Sequence, residues 1–237
     1  MYTVPTEESG FTLINVQAAI FTPETSTYSM SRVLSSVLSR HASVYNGEVQ
    51  SLPFPDLPNE VPRVVLQSSD QTWRFQSSPP RTDSFWIRLS DNIADEKATI
   101  QFCTDTLVEY VRTAEVIVSR IGLIVCKACV TVDNTNGLMQ RFVLPDVAVQ
   151  FTPSLHFELA NVQRGQVNGY AINKITRFRS ANLTFTPEPV IVVDCDVSTI
   201  EDSENTHRFD SNQLEEGFSL LQREAIRQST KYFPKGA

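Results

Sequence analysis

Val190-Ile-Val-Val-Asp-Cys-Asp-Val-Ser198 is the stretch whose reading decides the fold. It is β-branched and apolar, free of glycine, and preceded by Pro189, which together mark a buried strand. An acidic loop, Thr199 to Asp210, leads into Ser211 to Phe233, where Leu214, Phe218, Leu221, Ala225 and Tyr232 recur on one helical face. Asp210 followed by Gln213 has the spacing of a capping box. A buried strand followed by a long amphipathic helix predicts helices laid on a sheet.

Working outward, strands are expected at Leu155 to Asn161, Val167 to Phe178 and Ala181 to Phe185. Before them, Arg120 to Val132 is a long apolar strand closed by the turn Asp133-Asn-Thr-Asn-Gly137, with less regular sequence through Thr152-Pro153. In the first half, Phe11 to Phe21 reads as a strand and Thr27 to Tyr45 as a helix, with Gly47 placed as its C-terminal glycine. Leu52-Pro-Phe-Pro-Asp-Leu-Pro58 is an extended connector. Strands follow at Arg63 to Ser68, Thr72 to Ser77 and Ser84 to Leu89, with Trp73, Phe75, Phe85 and Ile87 assigned to one face and Arg74, Gln76, Trp86 and Arg88 to the other. A helix then covers Ala94 to Ser119. The fold class is therefore α+β, mainly antiparallel sheet with long helices on one face. The order of elements in 11–119 recurs in 120–233, so one domain over 1–237, built of two structural half-repeats, is expected.

A chain of 237 residues with 41% hydrophobic content can bury a large core. The net charge of −7 gives no general attraction to phosphate backbones or anionic lipid. The acidic start, Met1-Tyr-Thr-Val-Pro-Thr-Glu-Glu8, has no basic region and apolar segment of a secretory signal, and no apolar run is long enough to span a bilayer. The expectation is a cytoplasmic protein without cofactor or membrane partner.

The order Leu66-Gln-Ser-Ser-Asp70, Trp73-Arg-Phe-Gln76, Phe85-Trp86 and Arg120-Ile-Gly-Leu123 resembles a sporadically distributed family of uncharacterised bacterial proteins of about this length. Val192-Val-Asp-Cys-Asp196 and the ending Tyr232-Phe233 fit the same pattern, while Ile124 to Val130 departs from it in being less polar. The resemblance implies a bacterial source and transfers no catalytic residue.

Cys126-Lys-Ala-Cys129 lies inside a predicted strand, where a spacing of three puts the thiols on opposite faces. Neither a zinc site nor a redox pair suits that placement, so the four cysteines read as structural thiols. Asp194 and Asp196 share one strand face and are the weak candidates for a metal or an acid–base pair. Glu201, Asp202 and Glu204 follow, and 188–224 carries ten acidic and two basic residues, a pattern suited to a basic partner. Arg164, Lys174, Arg177 and Arg179 give 162–179 four basic and no acidic groups, the candidate contact for phosphate or nucleic acid, with Lys174 pointing away from the other two strand arginines. His41, His156 and His207 form no nucleophile arrangement, and phosphate-cradling glycine motifs are absent.

The leading functional expectation is a non-enzymatic binding subunit, an accessory or regulatory component of a bacterial assembly with a protein partner, in a defence setting by association. The alternatives are a small-ligand-binding or hydrolytic helix-on-sheet domain and an RNA- or DNA-contacting component.

Overall fold

A computed structural model describes residues 10–23, 27–54, 56–90, 93–130, 158–201 and 208–231, with the side chains of the last helix through Arg227. The elements are β1 (Thr12–Phe21), α1 (Met30–His41), β2 (Val49–Ser51), β3 (Val64–Gln67), β4 (Trp73–Ser78), β5 (Arg81–Ile87), α2 (Glu96–Ala114), β6 (Arg120–Val130), β7 (Glu158–Val167), β8 (Tyr170–Ala181), β9 (Val190–Thr199) and α3 (Ser211–Lys231). The fold is α+β, with nine antiparallel strands in the order β2-β3-β4-β5-β1-β6-β9-β8-β7. In each half the last strand returns to pair with the first, β5 with β1 and β9 with β6, and the two halves join where β1 pairs with β6.

Strand alternation sorts side chains between two faces. Val16, Ala18 and Ile20 of β1 point toward the helices and are fully buried, as are their cross-strand neighbours Leu123 and Ile121 of β6. Ile191, Val193, Cys195 and Val197 of β9 join the same cluster as Leu214, Phe218 and Leu221 of α3, as the apolar layer of the sequence predicts. Helix α2 rests on β1 and β5, α3 rests on β6 and β9, and the two helices touch each other.

Local signals set the element ends. Ser29 caps α1, so that helix begins later than Thr27, and it stops at His41, before Tyr45. Gly47 is not its C-terminal glycine. A Cβ there would meet the carbonyl groups of Ser68 and Gln67 at 2.7–2.8 Å, so glycine is required by close approach of two backbones. Helix α2 is capped by Asp95 and ends five residues earlier than expected, where Glu115 turns left-handed at φ 54°. The capping box of α3 forms as predicted, Gln213 N–H to Asp210 Oδ1 at 2.8 Å and Asp210 N–H to Gln213 Oε1 at 3.0 Å.

Three strand assignments are corrected. The β4–β5 turn is only Pro79-Pro80, and the register pairs Trp73 with Trp86 and Arg74 with Phe85. Trp86 therefore faces the helices, while Phe85 and Ile87 share the outer face with Arg74 and Gln76. Asn168 and Gly169, at φ 50° and 82°, make a two-residue hairpin turn between β7 and β8 through what reads as continuous strand. The expected strand Ala181 to Phe185 does not form: β8 ends at Ala181, and beyond it Leu183 and Phe185 fold over a second apolar cluster formed by Ile14, Cys126, Ala128, Val190 and Val192. The short edge strand β2 adds to the predicted set. The turn Asp133 to Gly137, the sequence to Thr152-Pro153, and Tyr232 lie outside the described residues.

Two lysines are buried on the helix side, each neutralised from a helix. Lys127 of β6 meets Glu96 in the first turn of α2 at 2.8 Å, and Lys174 of β8 meets Glu224 of α3 at 2.8 Å. Glu224 also accepts from Arg227 at 2.8 Å. Burial pushes the Glu224 carboxyl up, but the hydrogen bonds from Lys174 and Arg227 outweigh it and hold the group below its ordinary range. A carboxyl lowered in this way adds stability above its unfolded-state pKa and loses it as pH falls through the folded-state value. Glu224→Gln is expected to lower stability in urea at neutral pH by about 1–3 kcal/mol, and to leave a shallower acid limb than the unaltered protein. Equal stability of the two proteins at neutral pH would show that the pair contributes nothing net.

Candidate functional site

The sheet face turned away from the helices holds the charged strand residues that the sequence places in alternation. Arg81 and Asp83 are two apart on β5 and so share this face. Asp83 is only 2% exposed, and it is fully engaged. It accepts from Arg81 Nε at 2.9 Å and Arg81 Nη2 at 2.7 Å, from Gln17 Nε2 at 2.9 Å and from Gln76 Nε2 at 3.3 Å. Phe21 lies between Arg81 and Arg120 in the register, and both guanidinium groups sit over its ring, at 5.0 and 4.4 Å from its centroid. An open pocket of about 560 Å³ adjoins Phe21 and Arg81, walled by Glu60 and Pro62 just after the connector. The connector is held in place by the buried Arg63, whose guanidinium donates to the carbonyl oxygens of Phe54 and Leu57.

Across the centre of the sheet, β8 and β9 supply a second set. Arg179 Nε donates to Asp194 Oδ2 at 3.0 Å, and the Cys126 thiol donates to Asp194 Oδ1 at 2.6 Å. Burial, and then the neighbouring Asp194 carboxylate, push that thiol far up, so it stays protonated. Asp196 has its pKa raised by burial, against the lowering effect of Arg177 first and then Arg120 and Arg81. Asp194 and Asp196 share a face as the sequence predicts, but guanidinium groups and a thiol occupy their surroundings. Among the described residues no group of three or more histidine, cysteine or acidic side chains is gathered for a metal.

The other predicted positions scatter. Glu201 is exposed and accepts a hydrogen bond from Ser119 Oγ at 2.7 Å, while Asp202 and Glu204 lie outside the described residues. Lys174 is no surface contact for nucleic acid, because α3 covers it and Glu224 neutralises it. Arg164 is exposed on β7, Arg177 is half-buried, and Arg179 is committed to Asp194. All four cysteines are free and buried. His41 packs edge-on to Phe102 at 5.2 Å, and burial lowers its pKa; His156 and His207 lie outside the described residues.

The strand residues of the outer face carry Arg74, Arg81, Arg120, Arg164, Arg177 and Arg179 against Asp83, Glu158, Asp194 and Asp196. Arg81 and Arg179 are bonded to aspartates, Arg177 is the main cation beside Asp196, and Glu158 stands opposite Arg179 on the edge pair β7–β8. Arg74, Arg120, Arg164 and Arg177 form no ion pair among the described residues, though Arg120 lies near enough to Asp196 to act on it. The Nε atoms of Arg74 and Arg120 are buried with no hydrogen-bond partner, and so are Asn15 Oδ1 and Asn173 Oδ1 on the same face. A buried polar atom left unsatisfied costs about 1–3 kcal/mol, so four on one surface is a heavy local penalty. Arg120 Nη2 reaches Ser198 Oγ only at 3.4 Å. Sequence reading overlooks Arg74, Arg81, Asp83 and Arg120, because they are far apart in the chain and come together only through strand order.

On the helix side, a groove of about 1070 Å³ runs between α2 and α3 beside the β7–β8 turn. It is bordered by Glu96, Lys97, Glu215 and Arg223, with Tyr170 and Leu220 inside. No nucleophile paired with a base lines it. No helix among the described residues is long and apolar enough to cross a membrane. The sequence matches no known family model, and no curated protein matches it.

The raised pKa of Asp196 gives the sign of a stability effect. The ionised group subtracts stability at neutral pH, and the penalty disappears as pH falls from the raised folded-state pKa to the unfolded-state value. Asp196→Asn is expected to raise Tm at neutral pH and to match the unaltered protein in acid. A lower Tm at neutral pH would show that attraction to Arg177 outweighs burial.

Proposed function

We propose that this chain is a non-enzymatic binding subunit that docks a protein partner on the outer face of its sheet. The observation that carries the reading is the charge of that face, where six strand arginines, Arg74, Arg81, Arg120, Arg164, Arg177 and Arg179, stand against four carboxylates, Asp83, Glu158, Asp194 and Asp196. The arginines lie on β4, β5, β6, β7 and β8, so they span about 29 Å of sheet at normal strand spacing. That breadth suits a macromolecular surface better than a small ligand. Some of these charges are held rigid by internal bonds, as at Arg81–Asp83 and Arg179–Asp194. Preorganised polar groups lower the ordering cost of association. In this reading the chain is an accessory or regulatory component of a bacterial cytoplasmic assembly, and the resemblance of its sequence implies the bacterial source. A second reading rests on the α2–α3 groove, whose size suits a small polar ligand.

Bulk at the centre of the face tests the docking reading without altering charge. Ile124 and Ile175 are half-buried there and flank Asp196 on either side. Affinity purification of the tagged chain from its own source, followed by reconstitution with the recovered protein, is expected to give a defined complex. Ile124→Trp and Ile175→Trp should each prevent it while keeping Tm, and Arg223→Glu on α3 should not. A complex indifferent to both tryptophans, or a chain that forms none, sinks the reading. Loss of the complex with Arg223→Glu alone would move the site to the helix groove.

A further inference from the structure

The sheet ends in β2 on one side and β7 on the other, and the two edges are protected differently. β2 has only three residues, too short to template another strand. β7 runs for ten, from Glu158 to Val167, with neither proline nor lysine to blunt it. The residues flanking a two-residue hairpin turn exchange both backbone bonds, so Val167 with Tyr170, and every second pair back to Leu159 with Phe178, are bonded across the hairpin. The next ladder agrees: the carbonyl of Ala171 turns the other way and accepts from Ile200 N–H at 2.8 Å. The N–H and C=O groups of Glu158, Ala160, Val162 and Arg164 therefore point out from the open edge. All four residues are exposed, Val162 at 62%. Their side chains stand on the outer face, beside Arg179, Arg177, Ile175 and Asn173 of β8.

We infer that β7 pairs antiparallel with β7 of a second copy of this chain, joining two sheets into one across a twofold axis. The edge is complementary to itself. With the axis beside Asn161, Ala160 lies opposite Val162 of the second copy and Glu158 opposite Arg164, and the twofold repeats both pairings. Each of these residues has its backbone groups facing the seam, so the ladder closes with ordinary bonds. Arg164 forms no ion pair among the described residues, and its neighbour on β8 is Asn173. Glu158 stands beside Arg179, but that guanidinium is bonded to Asp194. The seam gives both charges a partner, and it sets the exposed Val162 against an alanine methyl. Charge also selects the register. Moving the axis to Val162 sets that residue against itself, but it puts Glu158 opposite Gln166 and Arg164 opposite Ala160, so both charges lose their partners. A foreign strand can bond to the same backbone groups, but Glu158 and Arg164, equally spaced about Asn161, supply the matching strand within the protein itself. A seam one strand wide is at the small end of specific interfaces, so the dimer dissociates at micromolar concentrations. It uses the edge of the sheet and is independent of the docking reading of its face.

Analytical ultracentrifugation of the full chain from about 1 to 200 µM is expected to show a shift from monomer to dimer. Arg164→Glu sets two glutamates against each other across the seam, and Glu158→Arg sets two arginines against each other. Each variant alone should dimerise about tenfold more weakly, or less still. Mixed in equal amounts, the two should recover the dimer as a heterodimer, because every acidic position of one then faces a basic position of the other. Recovery on mixing requires both variants to be folded, and their Tm checks this directly. Val162→Pro removes one N–H from the seam and none from the ladder with β8, so it should abolish the dimer and keep Tm. Ile124→Trp, on the sheet face, should leave the dimer intact. A chain monomeric over the whole range, a dimer indifferent to both charge variants, or no recovery on mixing overturns the inference. If a charge variant loses its fold, a dimer that survives Val162→Pro overturns it instead. A dimer lost with Ile124→Trp and kept with Val162→Pro overturns it too and places the contact on the face. A monomer whose complex with another protein is broken by Val162→Pro also overturns it and gives the edge to a foreign strand.

Discussion

Everything in this molecule depends on the pairing of β1 with β6. That antiparallel ladder joins the two halves into one sheet, and its helix-facing residues are fully buried, with Val16, Ala18, Ile20, Ile121 and Leu123 all at zero exposure. Because side chains alternate with a period of two, the register at this seam settles which residues of the neighbouring strands meet the helices. A slip of one residue would turn Gln17 into the core and send Val16 out among the arginines. The small side chains at the seam matter as well: Ala19 pairs with Gly122, which leaves the middle of the outer face shallow between Phe21 and Gln17.

The same alternation explains why the two faces treat charge differently. On the helix side a lysine is tolerated only where a helix brings a glutamate to it, at Lys127–Glu96 and Lys174–Glu224. On the outer side, arginine and aspartate neutralise one another across neighbouring strands, as Arg179 does for Asp194. Helix α2 and helix α3 are thereby tied to the sheet by ion pairs as well as by apolar contact. The outer face keeps its charges ordered without a covering helix among the described residues.

Features that depend on local chemistry were legible in the sequence. The Asp210–Gln213 capping box, the apolar stripe of α3 and the buried strand at Val190 each rest on a few adjacent residues, and each forms as read. Features that depend on phase were not. Trp86 and Phe85 are both aromatic, so composition cannot say which faces inward; the two-residue Pro79-Pro80 turn and the Trp73–Trp86 pairing decide it. Asn168-Gly169 is a strong hairpin signal, but strand-forming residues on both sides masked it. The end of α1 was misplaced because Gly47 is demanded by a distant contact with Ser68, and its local position says nothing of that.

Charge counted along the chain misleads for the same reason. The acidic stretch 188–224 divides among separate surroundings: Asp194 meets Arg179, Glu201 meets Ser119, and Glu224 is buried against Lys174. The basic stretch 162–179 divides likewise, with Lys174 on the helix side and Arg177 and Arg179 on the other. Neither stretch survives as a patch once the strands are paired. What survives is a surplus of arginine on the outer face, six against four carboxylates among its strand residues, three of the six, Arg74, Arg81 and Arg120, coming from parts of the sequence that look electrically ordinary. A protein with a net charge of −7 thus presents a cationic sheet face.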